Sequence, residues 1–115
     1  MPTPWWWPLG RVPELAAAEL ARRLAAEPNP QIVDVRTRLE YDAGHIAGAH
    51  STPILSFRQI LPSLGLDPRR PVYVICLTAH RSPPAVRMLR DQGFDAHQLA
   101  SGMNAWWREK LPTIK

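Results

Sequence analysis

Residues 71–93 read PVYVICLTAHRSPPAVRMLRDQG, and this stretch decides the fold. Residues 72–75 are all apolar and either β-branched or aromatic, which is the composition of a strand buried on both faces. The strand runs into Cys76, and a short turn then leads to Ser82-Pro83-Pro84. Ser is a preferred N-cap and Pro is tolerated in the first helical turn, so a helix is predicted to begin there. Gly93 stands where a left-handed residue would end that helix.

The position of Cys76 predicts a nucleophile. A loop ahead of a helix directs several backbone N–H groups to one place, and the helix dipole adds positive potential there. Settings of this kind favour a thiolate. Arg81, five residues further on, adds a permanent cation. The competing interpretation is a buried structural cysteine at a strand end. The loop and the arginine together favour the nucleophile.

Composition limits the classes of protein that fit. The chain has 115 residues, 45% of them hydrophobic and 21% charged, which suits one globular domain. A single cysteine excludes an intramolecular disulfide, and the absence of a Cys/His cluster predicts neither a metal site nor another cofactor. The net charge of +4 comes mainly from arginines spread along the chain. This pattern favours small anions or acidic partners over nucleic acid.

The first ten residues, MPTPWWWPLG, form a Trp/Pro-rich extension ahead of a domain predicted over residues 11–115. Trp5, Trp6 and Trp7 have three possible roles: covering the domain's own core, contacting a protein partner or a second copy, or anchoring at a membrane interface. No stretch approaches the ~18 apolar residues of a membrane span, and the start does not resemble a signal peptide. A cytoplasmic location is therefore expected.

The rest of the chain alternates helices with strands. Within this pattern, Thr37 and Glu40 have the spacing of a capping box at the start of a short helix. The order predicts an α/β fold with a parallel sheet covered on both faces, and Cys76 lies at the carboxyl end of a strand, where such sheets bind ligands. Helices are predicted over residues 12–26, 37–43, 56–64 and 103–110, and further strands over 31–35, 49–52 and 94–99.

Three motifs in order resemble the rhodanese-like sulfurtransferases. The resemblance covers about residues 11–115 and implies a three-layer α/β fold with about five parallel strands. Two departures are Ala79, where the family often has Gly, and Ala47, where it often has Pro. If residue 79 needs a positive φ, alanine costs about 1 kcal/mol there. The motifs are Tyr41-x3-His45-Ile46-x-Gly48-Ala49 preceded by Asp34-Val35-Arg36 and Glu40, the loop Cys76-Leu77-Thr78-Ala79-His80-Arg81-Ser82, and Leu99-Ala100-Ser101-Gly102-Met103-Asn104-Ala105-Trp106 with Leu111-Pro112.

The resemblance implies a thiosulfate sulfurtransferase acting through a persulfide on Cys76, with cyanide or a thiol as acceptor. Arg81 is expected to bind the sulfonate of the donor, to orient the loop or to pair with a carboxylate. Arg36 is expected to contact an anionic substrate or to join a buried ion network. The implied substrate- and persulfide-binding residues are Leu77, Thr78, Ala79, His80, Arg81 and Arg36, and the residues implied to support the loop are Asp34, Glu40, His45 and Ser82.

Two alternatives remain open on sequence. One is a non-catalytic module that docks a partner or carries sulfur between proteins, which the Trp-rich start favours. The other is a phosphatase or arsenate reductase. Such enzymes of similar fold hold a tetrahedral oxyanion in a longer Cys-x5-Arg loop, whereas only four residues separate Cys76 from Arg81 here. The shorter loop suits one extra sulfur atom better than a phosphate.

Overall fold

The structure is a computed structural model, and it describes residues 12–79 and 81–115. The Trp-rich residues 1–10 and His80 lie outside the described residues, so the predictions made for them stay predictions. Within the described part of the chain, no helix has the length and apolar character needed to cross a membrane.

Five strands form one sheet in which every pair is parallel, in the order β1-β5-β4-β2-β3. The predicted parallel α/β fold is confirmed. The strand predicted after the capping helix is shorter than expected, with two residues. The strands are β1 Glu14–Leu15, β2 Gln31–Asp34, β3 His50–Ser51, β4 Val72–Ile75 and β5 Ala96–Leu99.

Helices cover both faces of this sheet. The helix predicted over residues 56–64 is a short α-helix with a 3-10 turn on each side, and Pro62 lies in the second turn, where it lacks a backbone N–H to donate. The α-helices are α1 Ala17–Ala26, α2 Arg38–Ala43, α3 Phe57–Ile60, α4 Ser82–Asp91 and α5 Gly102–Arg108, and the 3-10 turns are Ile54–Ser56 and Leu61–Leu64.

The two faces of the sheet form separate cores because side chains alternate along a strand. In β4, Val72 and Val74 pack with α3 and α4, whereas Tyr73 and Ile75 pack with α1 and α5. All four β4 residues are buried, as expected of a central strand in a three-layer fold.

The first helix begins five residues later than predicted. Glu14 and Leu15 pair with Gln98 and Leu99 as an edge strand, and the N–H of Gln98 donates to the carbonyl of Pro13 at 2.9 Å. The apolar spacing of this segment resembled a helix, but Pro13 is confined to positions where no N–H is needed, and a sheet edge is one of them.

Strand order places a crevice between β2 and β4. The chain leaves β2 for β3 on one side and leaves β4 for β5 on the other, so the direction of winding changes between them. Asp34 and Ile75, the last residues of β2 and β4, are in register. Ligands bind at such a switch point, beyond the carboxyl ends of the strands. Cys76 is the next residue after β4.

Candidate active site

Cys76 lies at the base of the loop between β4 and α4. The residue is 1% exposed, and the backbone N–H of Arg81 donates a hydrogen bond to its Sγ at 3.2 Å. The loop therefore curls back so that its sixth residue faces the sulfur of its first. A sulfur in this position receives a donor that stabilises negative charge.

The start of α5 holds the other side of this loop. The N–H of Met103 donates to the carbonyl of Cys76 at 2.7 Å, and the N–H of Asn104 donates to the carbonyl of Leu77 at 3.1 Å. In a trans peptide the N–H points opposite to the carbonyl. The N–H groups of Leu77 and Thr78 are therefore directed away from α5.

Gly102 makes this close contact possible. A Cβ atom there would overlap the carbonyl oxygen of Cys76 and lie 2.5 Å from the carbonyl carbon of Leu77. Its φ of +56° also falls in the left-handed region that favours glycine. No side chain fits between α5 and the loop.

Ala79 has a φ of +65°, so this position does adopt the positive φ at which alanine is less favourable than glycine. An L-residue in this region carries a cost of about 1 kcal/mol that glycine avoids. The loop thus keeps a left-handed turn midway between Cys76 and Arg81 despite the replacement of the usual glycine.

Glu40 binds the guanidinium of Arg81 through both carboxylate oxygens, at 2.7 and 3.0 Å. The hydrogen bonds from Arg81 are the main reason why the pKa of Glu40 falls from 4.5 to about 2. The pKa of Arg81 is raised above its usual value, first by Glu40 and to a lesser degree by Cys76. Arg81 therefore stays charged with its side chain held on α2.

The same Glu40 carboxylate completes the predicted capping box. The N–H of Thr37 donates to Glu40 Oε1 at 2.9 Å, and the N–H of Glu40 donates to Thr37 Oγ1 at 3.2 Å. The Glu40 side chain therefore caps the N-terminus of α2 and also holds Arg81. Arg81 is the last residue of the loop from Cys76 to Arg81, which we call the sulfur loop.

Asp34 and Arg36 form a buried ion pair beside this site. Arg36 Nη2 donates to Asp34 Oδ2 and to the carbonyl of Gly44, each at 2.8 Å, and both charged side chains are at most 1% exposed. The ring of Trp107 covers the guanidinium, with its centroid 5.9 Å from the central carbon. Buried charges are tolerated only when paired and hydrogen-bonded in this way.

A family model described as the rhodanese-like domain matches residues 16–109. The chain belongs to the rhodanese-like domain family. The resemblance seen in the sequence is thereby confirmed, and the fold and the position of the cysteine loop agree with it. The match places this domain in the sulfurtransferase superfamily.

Solved structures share the fold closely. A rhodanese-like domain protein from Staphylococcus aureus is 33% identical with a TM-score of 0.78, over 90% of this chain and 99% of that one. A thiosulfate sulfurtransferase from Pseudomonas aeruginosa is 29% identical with a TM-score of 0.78, over 89% of this chain and 20% of that one.

In one curated relative, the region similar to this chain is only part of a longer protein. A helix-turn-helix-type transcriptional regulator from Mycobacterium tuberculosis is 39% identical over 100 residues, which are 85% of this chain and 43% of the regulator. The chain spans about two fifths to three fifths of the length of the first curated relatives that it matches.

The structure brings several residues predicted for this rhodanese-like site together but does not support the substrate contact expected of Arg36. Cys76, Leu77, Ala79 and Arg81 form the loop, whereas the guanidinium of Arg36 is buried and bound to protein groups. Of the two alternatives expected for Arg36, the structure shows the buried ion network, because its side chain is 1% exposed and is bound to Asp34 and Gly44. The substrate contact stays a prediction. Thr78 is exposed on the loop.

Two residues predicted to support the loop have contacts elsewhere. The ring of His45 stacks on Tyr41 at 3.7 Å, its Nδ1 lies 2.8 Å from the Tyr41 carbonyl oxygen, and its backbone pairs with Ile114. His45 thus ties the C-terminal segment to the turn after α2. Ser82 does not cap α4, whose N-cap is Arg81; its Oγ donates to Oε1 of Gln98 in β5 at 2.6 Å.

Gly102 and Gln98 are the site residues that sequence reasoning missed. The sequence places Gly102 in the third motif without a role of its own, and Gln98 within a predicted strand. A glycine in the first turn of a helix, directly after the N-cap Ser101, is unfavourable for the helix itself and is therefore a signal of close backbone approach or a positive φ. Among residues 12–79 and 81–115, no three His, Cys, Asp or Glu side chains form a group that could hold a metal ion.

Proposed function

We propose that this rhodanese-like domain is a thiosulfate sulfurtransferase that works through a persulfide on Cys76. The Cys76 thiolate attacks the outer sulfur of thiosulfate, the S–S bond of the donor breaks, and sulfite leaves with the bonding electrons. An acceptor nucleophile, cyanide or a thiol, then attacks the outer sulfur of the persulfide. The Cys76–S bond to that sulfur breaks and the thiolate is restored.

The hydrogen bond from the Arg81 N–H to Cys76 Sγ is the observation that carries this proposal. A donor already directed at the sulfur stabilises the anion before and after transfer without reorganisation. The carbonyl oxygens of Cys76 and Leu77 accept hydrogen bonds from α5 and are therefore directed away from the sulfur. The donor that faces the sulfur is the backbone N–H of Arg81.

Arg81 acts mainly by orienting the loop. Its guanidinium is bound in bidentate fashion by Glu40, so the local positive charge available to a donor sulfonate is partly neutralised. The fixed main chain of Arg81, rather than a free cation, is what the sulfur faces.

The test is formation of thiocyanate from thiosulfate and cyanide, compared with Cys76→Ser. Turnover well above the Cys76→Ser background supports the proposal, and its absence in the wild-type protein contradicts it. Hydrolysis of a phosphate ester without thiocyanate formation would instead assign the loop to phosphatase chemistry.

A second candidate is a sulfur carrier or docking module. It is favoured by the Mycobacterium relative, in which a similar domain accounts for 43% of a longer regulator. Persulfide formation on Cys76 without multiple turnover with cyanide or small thiols would decide for this candidate. The cytoplasmic location stays a prediction with either function.

A further inference from the structure

Three large apolar side chains are exposed on elements that follow the carboxyl edge of the sheet. Leu39 in α2 is 82% exposed, Leu55 in the 3-10 turn after β3 is 95% exposed, and Trp107 in α5 is 42% exposed. Single exposed apolar side chains are ordinary, but several on the same side of a domain indicate a contact surface. We call these three residues the apolar rim.

Leu39 and Leu55 are linked to the site through their neighbours in sequence, and Trp107 is linked to it by a ring contact. Leu39 precedes Glu40, whose carboxylate binds Arg81 at the end of the sulfur loop. Leu55 follows Ile54, whose N–H donates to the carbonyl of Val35 at 3.1 Å, directly beyond β2. The Trp107 ring covers Arg36, the next residue along that same segment.

The elements that carry the apolar rim and the loop have an excess of positive charge. Over residues 37–43, 54–58, 77–81 and 102–110, cationic side chains outnumber anionic ones by five to three. A partner for this surface is therefore apolar at its centre and acidic around it. The cations are Arg38, Arg58, Arg81, Arg108 and Lys110, and the anions are Glu40, Asp42 and Glu109.

We propose that the apolar rim docks a sulfur-accepting protein segment in which a cysteine lies between apolar residues with acidic residues nearby. This proposal rests on the proposed function, because the acceptor thiolate attacks the outer sulfur of the Cys76 persulfide. The acceptor becomes a persulfide, the S–S bond to Cys76 breaks, and Cys76 leaves as the thiolate. One sulfur atom moves and no oxidant or reductant is needed.

Small acceptors gain no binding energy from the apolar rim. Cyanide and inorganic sulfur anions carry no apolar area, so covering Leu39 or Leu55 cannot contribute to their binding. An apolar segment would gain about tenfold in affinity for each rim side chain that it covers substantially. The apolar rim therefore selects among acceptors and leaves sulfur loading unaffected.

The experiment compares two thiol peptides of equal charge as acceptors with thiosulfate as donor. In the first, cysteine lies between two leucines flanked by an aspartate and a glutamate; in the second, serines replace the leucines. The wild-type protein should transfer sulfur to the leucine peptide with a kcat/KM about a hundredfold higher, which is about tenfold for each of two rim side chains covered. Leu39→Ser and Leu55→Ser should each lower that preference about tenfold without changing cyanide turnover.

Ile114→Ser is the matched control, because Ile114 is 50% exposed and its backbone pairs with His45 rather than with a rim element. It should leave the peptide preference intact. Equal rates for the two peptides in a wild-type protein that turns over cyanide would overturn the apolar rim proposal alone. Absence of both persulfide and cyanide turnover would overturn the proposed function. A dimer that dissociates in Leu55→Ser would assign the apolar rim to self-association and also overturn the proposal.

Discussion

Gly102 lies directly against the peptide group that joins Cys76 to Leu77, and no side chain fits between them. The N–H of Met103, one residue later, donates to the Cys76 carbonyl at 2.7 Å. The first turn of α5 therefore sets the direction of the peptide groups at the base of the sulfur loop, although it supplies no group that touches the sulfur. Gly102 is a positioning residue.

Gly102→Ala should displace the base of the loop and lower thiosulfate:cyanide activity about a hundredfold, because misplacement of a reacting atom by about 1 Å has effects of that size. The matched control is Gly65→Ala. Gly65 has a φ of +64°, close to that of Gly102, but a Cβ there meets nothing within 4 Å. Both variants should lose about 1 kcal/mol of stability from backbone strain, and Gly102→Ala should lose about 1–3 kcal/mol more from the overlap with the loop backbone. Equal activities of the two variants would contradict the positioning role.

Glu40→Gln should lower kcat/KM for thiosulfate about tenfold by releasing the bidentate hold on Arg81. Glutamine still fits the capping box, so α2 should form, and the free energy of unfolding should fall by only about 1 kcal/mol. Asp42→Asn is the control, since it breaks the exposed pair between Arg38 and Asp42 on the same helix. If Asp42→Asn and Glu40→Gln had equal activities, the hold on Arg81 would have no catalytic importance.

The pair between Glu40 and Arg81 also predicts an acid-dependent stability. The pKa of Glu40 is lower in the folded protein, about 2, than its usual 4.5. The pair therefore stabilises the fold fully above pH 4.5, and this contribution is lost as the pH falls toward 2. In urea titrations at several pH values, the stability gap between wild type and Glu40→Gln should narrow over that interval. A gap that stayed constant from pH 5 to pH 2 would contradict the pairing.

Arg36→Ala should unfold far more easily than the wild type, with a loss of about 3–5 kcal/mol, because it leaves the buried charge of Asp34 unpaired. Arg38→Ala, which removes an exposed pair, should cost less than about 1 kcal/mol. Under conditions where Arg36→Ala is folded, its KM for thiosulfate should equal that of the wild type. A raised KM with unchanged stability would restore the substrate contact first expected of Arg36.

Local patterns in the sequence predicted the framework of this site. The Thr37–Glu40 capping box and the end of α4 just before Gly93, which has a φ of +92°, each depend on a few adjacent residues, and both are confirmed. The strand before Cys76 is confirmed for the same reason. Its apolar run is short, continuous and bounded by turn residues.

Long-range contacts account for what the sequence did not predict. Ser82 has the spacing of an N-cap, but Pro84, two residues later, offers no N–H to accept. The Ser82 hydroxyl instead donates to Gln98, sixteen residues away in sequence. Gly102 meets Cys76 only once α5 packs beside the loop. By contrast, the pairing of Asp34 with Arg36 is the buried ion network that the sequence offered as one alternative for Arg36, and the two residues lie two apart on one side of an extended segment.

The central claim is that Cys76 accepts one sulfur atom in a loop that stabilises its anion. Intact mass spectrometry after incubation with thiosulfate tests this directly. The wild-type protein should gain the mass of one sulfur, lose it on treatment with a reductant, and show no gain as Cys76→Ser. A wild-type mass that does not change, or a gain that persists in Cys76→Ser, would contradict the account.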